Sequence, residues 1–352
     1  MRMAVLDVGS NTVRLMVADT GGELPLPVHT GKNRLRLADH TGPRGELPPD
    51  QIARLAEAVD DAVAEARLRG AGTLLAFATA IVRDAPNRRE VVGEVARRTG
   101  VLLHTMDGET EAELTFLAAR RWMGWRAGPL AMLDIGGGSF DVAFGRSRLP
   151  DFAASLPLGA NLLTREFFGE DDPPSPAVRK ELRRHVRHRL RDVAARIRWE
   201  GPATAVATSR TFQQLGRLCG APAGRHGPFV PRVLEAGRLG PAVRRLGTLN
   251  AVERALLPGI SPARARQSLA GALVAHTAME LMGIDRLTIC PWGLREGVLL
   301  RSIEEGGTGW WPPPGAQPEE QQLDEPEISD ISRISALSPS GIPLLAALDT
   351  VP

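Results

Sequence analysis

Leu133-Asp134-Ile135-Gly136-Gly137-Gly138-Ser139-Phe140-Asp141 is the stretch on which the reading of the chain turns. The apolar run Pro129–Leu133 that leads into it reads as a buried strand, here closed by a carboxylate. Three glycines let the chain turn sharply and bring backbone N–H groups close to a ligand. Ser139 adds a hydroxyl and Asp141 a second carboxylate. Amides and a hydroxyl suit a phosphate. Two carboxylates suit Mg²⁺, a hard cation that takes oxygen ligands and commonly shares them with phosphate. Taken alone, a glycine-rich turn fits a plain hairpin equally well.

A second copy favours the phosphate reading. Ala4-Val5-Leu6-Asp7-Val8-Gly9-Ser10-Asn11-Thr12-Val13-Arg14-Leu15 aligns without a gap on Ala131–Val142. Asp7 matches Asp134, Gly9 matches Gly136 and Thr12 matches Ser139. Both copies read as strand, glycine turn, hydroxyl, strand. The repeat predicts an α/β chain of two duplicated domains, each with a phosphate loop at its strand ends. Facing across a cleft, two such loops would grip neighbouring phosphates. At one matched position the copies differ: Arg14 suits phosphate oxygens, Asp141 suits a metal.

The 352 residues suffice for two cores, and 43% apolar with 24% charged residues is ordinary for a soluble globular chain. Cys219 and Cys290 are the two cysteines, so no disulfide framework is indicated and a reducing cytoplasm fits. The chain opens on the strand Met3–Leu6 with no leader pattern before it, and no apolar run nears the ~20 residues of a membrane span. The net charge of +2 divides unevenly: nine acids and one arginine from Glu304 onward leave +10 on residues 1–303. A positive body suits a polyanionic partner. Beyond Gly306 the Pro-rich, acidic composition predicts a disordered tail, either a solubilising end or a competitor for the basic surface.

Val28–Ala38 reads as a strand region with Lys32, Arg34 and Arg36 on one face, a solvated face or a phosphate track. Pro48–Arg69 is an amphipathic helix with Ile52, Leu55, Ala56, Val59 and Val63 inward. Thr73–Thr79 is a strand that hands over to a helix at Arg83 and Asn87, a usual place for ligand groups. Val101–Thr105 reads as a strand. In Asp107–Leu114, Thr110 and Glu113 resemble a capping box, which leaves Glu111 without a structural assignment. Gly124–Gly128 reads as the joint between domains 1–126 and 127–303, with the tail at 304–352. In the second half, Ser175 caps a very basic helix, Ala177–Trp199. Ser209-Arg210-Thr211 opens another strand-to-helix junction. Leu234–Leu246 and Arg264–Met282 read as helices, the latter with small residues Ala270, Gly271 and Ala272.

The combination resembles the exopolyphosphatase and guanosine pentaphosphate phosphohydrolase (Ppx/GppA) family, over about residues 3–303. The similarity rests on Asp7–Thr12, Ala78–Asn87, Gly108–Leu114, Asp134–Asp141, Leu156–Ala160 and Pro291–Gly297. It implies two actin-like, heat-shock-70-like or sugar-kinase-like (ribonuclease H-like) domains flanking a cleft, and it resembles the short actinobacterial type. It further implies phosphate contacts from Gly9, Ser10, Asn11, Thr12, Arg14, Arg83, Gly136, Gly137, Gly138 and Ser139. Glu111 would be the catalytic glutamate. Asp141, Asp134 and Asp7 would hold Mg²⁺, with K⁺ as a second candidate ion. Lys32, Arg34, Arg36 and Arg264 would touch a polyanion or alarmone. The implied substrate is inorganic polyphosphate, with pppGpp or ppGpp as the alternative, in a cytoplasmic homodimer without nucleic-acid or membrane partners. Asn161-Leu162 replaces a Val-Arg pair common in such chains, Ala207–Arg210 replaces a more glycine-rich turn, and Arg266 replaces an acid. The rivals are a kinase with an adenosine pocket near Gly271 and a non-catalytic polyphosphate or alarmone sensor.

Overall fold

The computed structural model describes residues 1–21 and 25–306, so the tail expected from 304 lies, from 307 on, outside the described residues. The first sheet is built from β1 (Arg2–Val8), β2 (Thr12–Asp19) and β3 (Pro27–Arg34). Helix α1 (Pro49–Leu68) follows, then β4 (Thr73–Ala78), α2 (Ala80–Arg83), α3 (Arg88–Thr99) and β5 (His104–Thr105). Helix α4 (Gly108–Met123) leads to the second sheet, which opens with β6 (Leu130–Ile135), β7 (Phe140–Gly145) and β8 (Phe152–Leu156). Next come α5 (Ala160–Leu163), α6 (Pro176–Glu200), β9 (Thr204–Ala207) and α7 (Ser209–Leu218). The chain ends with β10 (Val233–Glu235), α8 (Ala236–Leu246), α9 (Ala251–Ala255), α10 (Ser268–Met282), β11 (Arg286–Ile289) and α11 (Leu294–Glu304).

The sheets run β3-β2-β1-β4-β5 and β10-β11-β9-β6-β7-β8. Read from β8, the second repeats the first. In each, the opening hairpin and third strand are antiparallel, and two parallel strands join the other edge of the first strand. Strand β10 is an addition on the far edge. The duplication expected from the aligned loops therefore extends to the topology of both sheets.

The chain divides into two compact units, residues 1–110 with 298 onward, and residues 111–297. The joint expected at 126/127 falls at 110/111. Residues 111–126 group with the second unit because α4 is anchored there. The Arg120 guanidinium donates to the carbonyls of Gly128 and Gly145, both at 2.7 Å. The first core gathers Leu6, Val8 and Leu15 of the sheet with Ile52, Leu55, Val59 and Val63 of α1, the face read from periodicity. The second gathers Leu133, Phe140 and Phe144 with Leu190 of α6, Phe212 of α7 and Leu269 of α10.

Several local expectations are corrected. The strand region expected to reach Ala38 stops at Arg34, because the amides of Leu35 and Arg36 turn aside to bond the Asn11 carbonyl. Of the Val101–Thr105 strand only His104–Thr105 pairs. Helix α4 is capped by Asp107, whose carboxylate accepts from the Thr110 amide at 2.7 Å, and not by Thr110. Leu234 lies in β10, paired with Leu287, rather than in a helix. Residues Pro262–Arg264 form a separate 3-10 turn, so α10 starts at Ser268.

Candidate active site

Each hairpin closes with the same backbone bond: Gly9 N–H to the Thr12 carbonyl at 3.0 Å, and Gly136 N–H to the Ser139 carbonyl at 2.9 Å. Their other carbonyls are tied back into their own unit. Ser10 and Asn11 carbonyls accept from Ala38 and from Leu35 and Arg36. Gly136, Gly137 and Gly138 carbonyls accept from Ala160, from Asn161 and Leu162, and from Gly159. The amides of Ser10, Asn11, Gly137, Gly138 and Ser139 take no hydrogen-bond partner among the described residues. Loops that spend their carbonyls and keep their amides are anion-binding backbone. Gly9 and Gly136 do not adopt left-handed backbone, and a Cβ on either would meet its nearest atom at 3.6 or 3.5 Å. The bend itself therefore does not require glycine there; the missing side chain leaves room at the amides for a ligand.

Register partners in a sheet share a face. In the first unit Asp7 faces Arg14 and Arg14 faces Lys32, while Thr12 faces Arg34. Arg14 is steadied by its Nε–H donating to Thr12 Oγ1 at 3.2 Å. In the second unit Asp134 faces Asp141, and Asp141 faces Ser155. Ser155 donates to Asp141 Oδ1 at 2.5 Å, Ser139 lies 3.4 Å from Asp141 Oδ2, and Thr208 donates to Asp134. One row is a carboxylate among cations. The other is a pair of carboxylates among hydroxyls.

Of the expected basic residues, two share the face of Arg14. Lys32 and Arg34 join Arg14 on one sheet face, but Arg36 leaves the strand in a left-handed conformation and pairs with Asp39. Arg264 lies in the 3-10 turn of the other unit.

No three His, Cys, Asp or Glu side chains cluster as an all-protein metal cage among the described residues. The Asp134–Asp141 pair fits Mg²⁺ on its donor chemistry: two facing hard carboxylates, with the rest of the shell left to phosphate and water. Asp7 fits less well, because the residue facing it is a cation.

Of the acids that open α4, Glu109 and Glu113 are exposed and Glu111 is buried, 6% accessible. A buried carboxylate is costly unless it is partnered or put to use. The helix that carries it is fixed at several points. Arg83 pairs with Asp84 at 2.8 Å and donates to the Met106 carbonyl, just before the Asp107 cap. Trp122 packs on Trp292 at 5.2 Å. Gly297 brings α11 so close that a Cβ there would lie 1.9 Å from the Leu114 carbonyl oxygen. Asn87 has a structural role, since its carboxamide bonds both the N–H and the carbonyl of Leu47.

Several positions escaped sequence reasoning. Thr208 and Ser155 reach their carboxylates from 74 and 14 residues away, with no local signal. A Cβ on Gly159 would lie 2.3 Å from the Gly137 carbonyl oxygen, so this glycine lets the loop seat against α5. The Asn161 amide bonds Gly137, and its side-chain Nδ2 is buried without a partner among the described residues. Gly271 is closed over by Thr211 Cγ2, 2.7 Å from where a Cβ would stand, and by Ala160 at 3.4 Å; the small residues serve helix packing. Burial pushes both thiols up, Cys219 to about 11, which removes them as nucleophiles at neutral pH.

The family profile described as the Ppx/GppA phosphatase family matches residues 16–305. An uncharacterised protein of Streptomyces coelicolor is 66% identical over 312 residues, 88% of this chain and 93% of that one. Exopolyphosphatase 1 of Mycobacterium tuberculosis is 44% identical, over 88% of this chain and 90% of that one. Among solved structures, the Aquifex aeolicus Ppx/GppA family member superimposes with a TM-score of 0.74 at 25% identity, covering 88% of this chain and 99% of that one. An exopolyphosphatase from Cytophaga hutchinsonii shares the fold, with a TM-score of 0.79 at 20% identity, over 86% and 98% of the two chains. With its duplicated loops in place and most of its length matched, the chain belongs to the Ppx/GppA phosphatase family.

Proposed function

We propose that the chain is an exopolyphosphatase, releasing terminal orthophosphate from inorganic polyphosphate by attack of water. The observation that carries this reading is the pair of matched hairpins, one row cationic and the other dicarboxylate. Phosphoanhydride hydrolysis needs little covalent help from a protein. It needs held phosphates, neutralised charge and an aimed water. The amides of Ser10, Asn11, Gly137, Gly138 and Ser139, with the Thr12 hydroxyl, take phosphate oxygens. Arg14 and Arg83 add charge-assisted contacts. Asn161 Nδ2, a buried donor beside Gly137 that bonds nothing among the described residues, is a further phosphate contact. Asp134 and Asp141, oriented by Thr208 and Ser155, would hold Mg²⁺, which when bound neutralises phosphate charge. Glu111 orients the water and takes its proton.

The test is the Glu111→Gln protein. It should bind tripolyphosphate like the parent while releasing phosphate ~10²–10⁴-fold more slowly, the usual share of a general base. Unchanged turnover would remove Glu111 from the mechanism.

The second reading is pppGpp hydrolysis. It is favoured by a 26% identical relative from Aeromonas hydrophila named guanosine-5'-triphosphate,3'-diphosphate pyrophosphatase, although this chain covers only 58% of that protein. Higher kcat/KM on pppGpp than on polyphosphate, side by side, would establish it.

A further inference from the structure

The second unit contains a cavity of about 450 Å³ whose lining includes no residue of either hairpin. One face of α7 lines it, with Arg210, Gln213, Gln214 and Arg217 at helical spacing, and Arg232 and Pro291 stand among the other lining residues. No carboxylate lines it, and none of the three arginines has an acidic partner among the described residues.

Guanidinium bookkeeping shows what is left over. Arg232 gives four N–H bonds to the carbonyls of Pro222, Val230, Ala223 and Gly227, at 2.8–3.1 Å, and so pins the loop that walls the cavity. Arg217 gives one bond to the Ala221 carbonyl and Arg210 one to Gln213 Oε1, both at 3.1 Å. Each guanidinium has five donors, so Arg217 and Arg210 keep most of theirs and Arg232 keeps one. Three positive charges and a surplus of donors, held by a preformed wall, call for an anion rich in acceptor oxygens.

Position supports the same conclusion. Arg210 follows β9 and Pro291 follows β11, at the carboxyl ends of parallel strands, where open α/β sheets take ligands. Ser209, which precedes the lining residue Arg210, is held at φ 68, left-handed backbone that a non-glycine residue adopts at a cost of roughly 1–2 kcal/mol. Such strain collects at ligand clamps. The preceding residue, Thr208, is fully buried and orients Asp134.

We propose that this cavity is a second anion site, built for a condensed phosphate of a few units. It takes the length of its anion from the polyphosphate reading of the active site, but its binding does not depend on hydrolysis there. The experiment is calorimetric titration of the full chain carrying Glu111→Gln with tripolyphosphate, and with sulfate at equal ionic strength. Two classes of tripolyphosphate site are expected, and none for sulfate of comparable strength. Adding Arg210→Ala with Gln213→Ala should weaken one class by roughly tenfold or more, the worth of a charge-assisted contact, and leave the other intact. These side chains bond mainly to each other, and Arg210→Glu offers a second variant with the helix unchanged. A single class in the parent, or two classes that both variants leave unchanged, overturns the proposal. So does tight ADP binding at this site with none of tripolyphosphate. If the chain with Glu111 intact released no phosphate from tripolyphosphate while both classes persisted, the hydrolase reading would fall and this site would stand.

Discussion

Asp134 and Asp141 face each other across a hairpin, and like charges so placed repel unless a cation or hydroxyl donors answer them. Serine and threonine hydroxyls do part of this, and on the proposed reading a bound cation would do the rest. Asp141→Asn should therefore keep or raise Tm, because it relieves repulsion, while phosphate release falls by roughly 10²-fold or more, the usual loss when a charge-stabilising group is removed. A lowered Tm with unchanged turnover would make Asp141 structural. Asn161 gives the same kind of separation. Its Nδ2 bonds nothing among the described residues, so Asn161→Ala should not lower Tm by more than a degree or two. The loss should show in kcat/KM on polyphosphate, by roughly tenfold. At this scale Asp134 and the loop residues were legible because duplication printed them twice, and Asp141 because it stands opposite Arg14 in the alignment. Thr208, Ser155 and Asn161 were not, since a contact made across 74 residues leaves no spacing to read.

Helix α4 shows what an element adds. Periodicity and the acids at its start made it visible, yet its cap was misassigned to Thr110, because Asp107 and Thr110 both fit a capping pattern and only geometry chooses. Its tight contact with α11 was invisible, since Gly297 looks like any glycine in a list of residues. Gly297→Ala would set a methyl against the Leu114 carbonyl, backbone that cannot rotate away. Melting should reveal a loss of at least ~1–3 kcal/mol, with turnover falling as Glu111 is displaced. Strand β5 carries a different prediction. Burial lowers the His104 pKa to about 4 from an ordinary 6.5. The unfolded chain then binds more protons than the folded one between these values, so stability rises with pH across that window and is lost as pH falls through it. Denaturant midpoints should show the slope, and His104→Asn should flatten it. Identical slopes in both proteins would show that other groups carry the acid sensitivity.

On the scale of the whole molecule, the two sheets repeat one topology while their site rows differ in sign. That division was legible early, in the one aligned position that sets Arg14 against Asp141. The extra strand β10 was not, because three residues at a sheet edge leave too short a pattern to tell from a helix start. The uneven charge, +10 on residues 1–303, gains a location from the register that sets Lys32 and Arg34 beside Arg14 and Thr12. A solvated face would leave catalysis indifferent to these two side chains. A track for a long anion would not, because each phosphate it neutralises releases a counterion, and binding then weakens with salt in proportion to the number of contacts. KM for long-chain polyphosphate should therefore climb steeply between low and moderate salt, and much less for tripolyphosphate, whose few phosphates make fewer contacts. Lys32→Ala with Arg34→Ala should flatten the long-chain slope by about one to two units of log KM against log salt, by analogy with phosphate contacts in nucleic-acid binding, and leave tripolyphosphate hydrolysis near its parent rate. Equal slopes for both substrates, or a slope untouched by the double substitution, would return this face to the solvent.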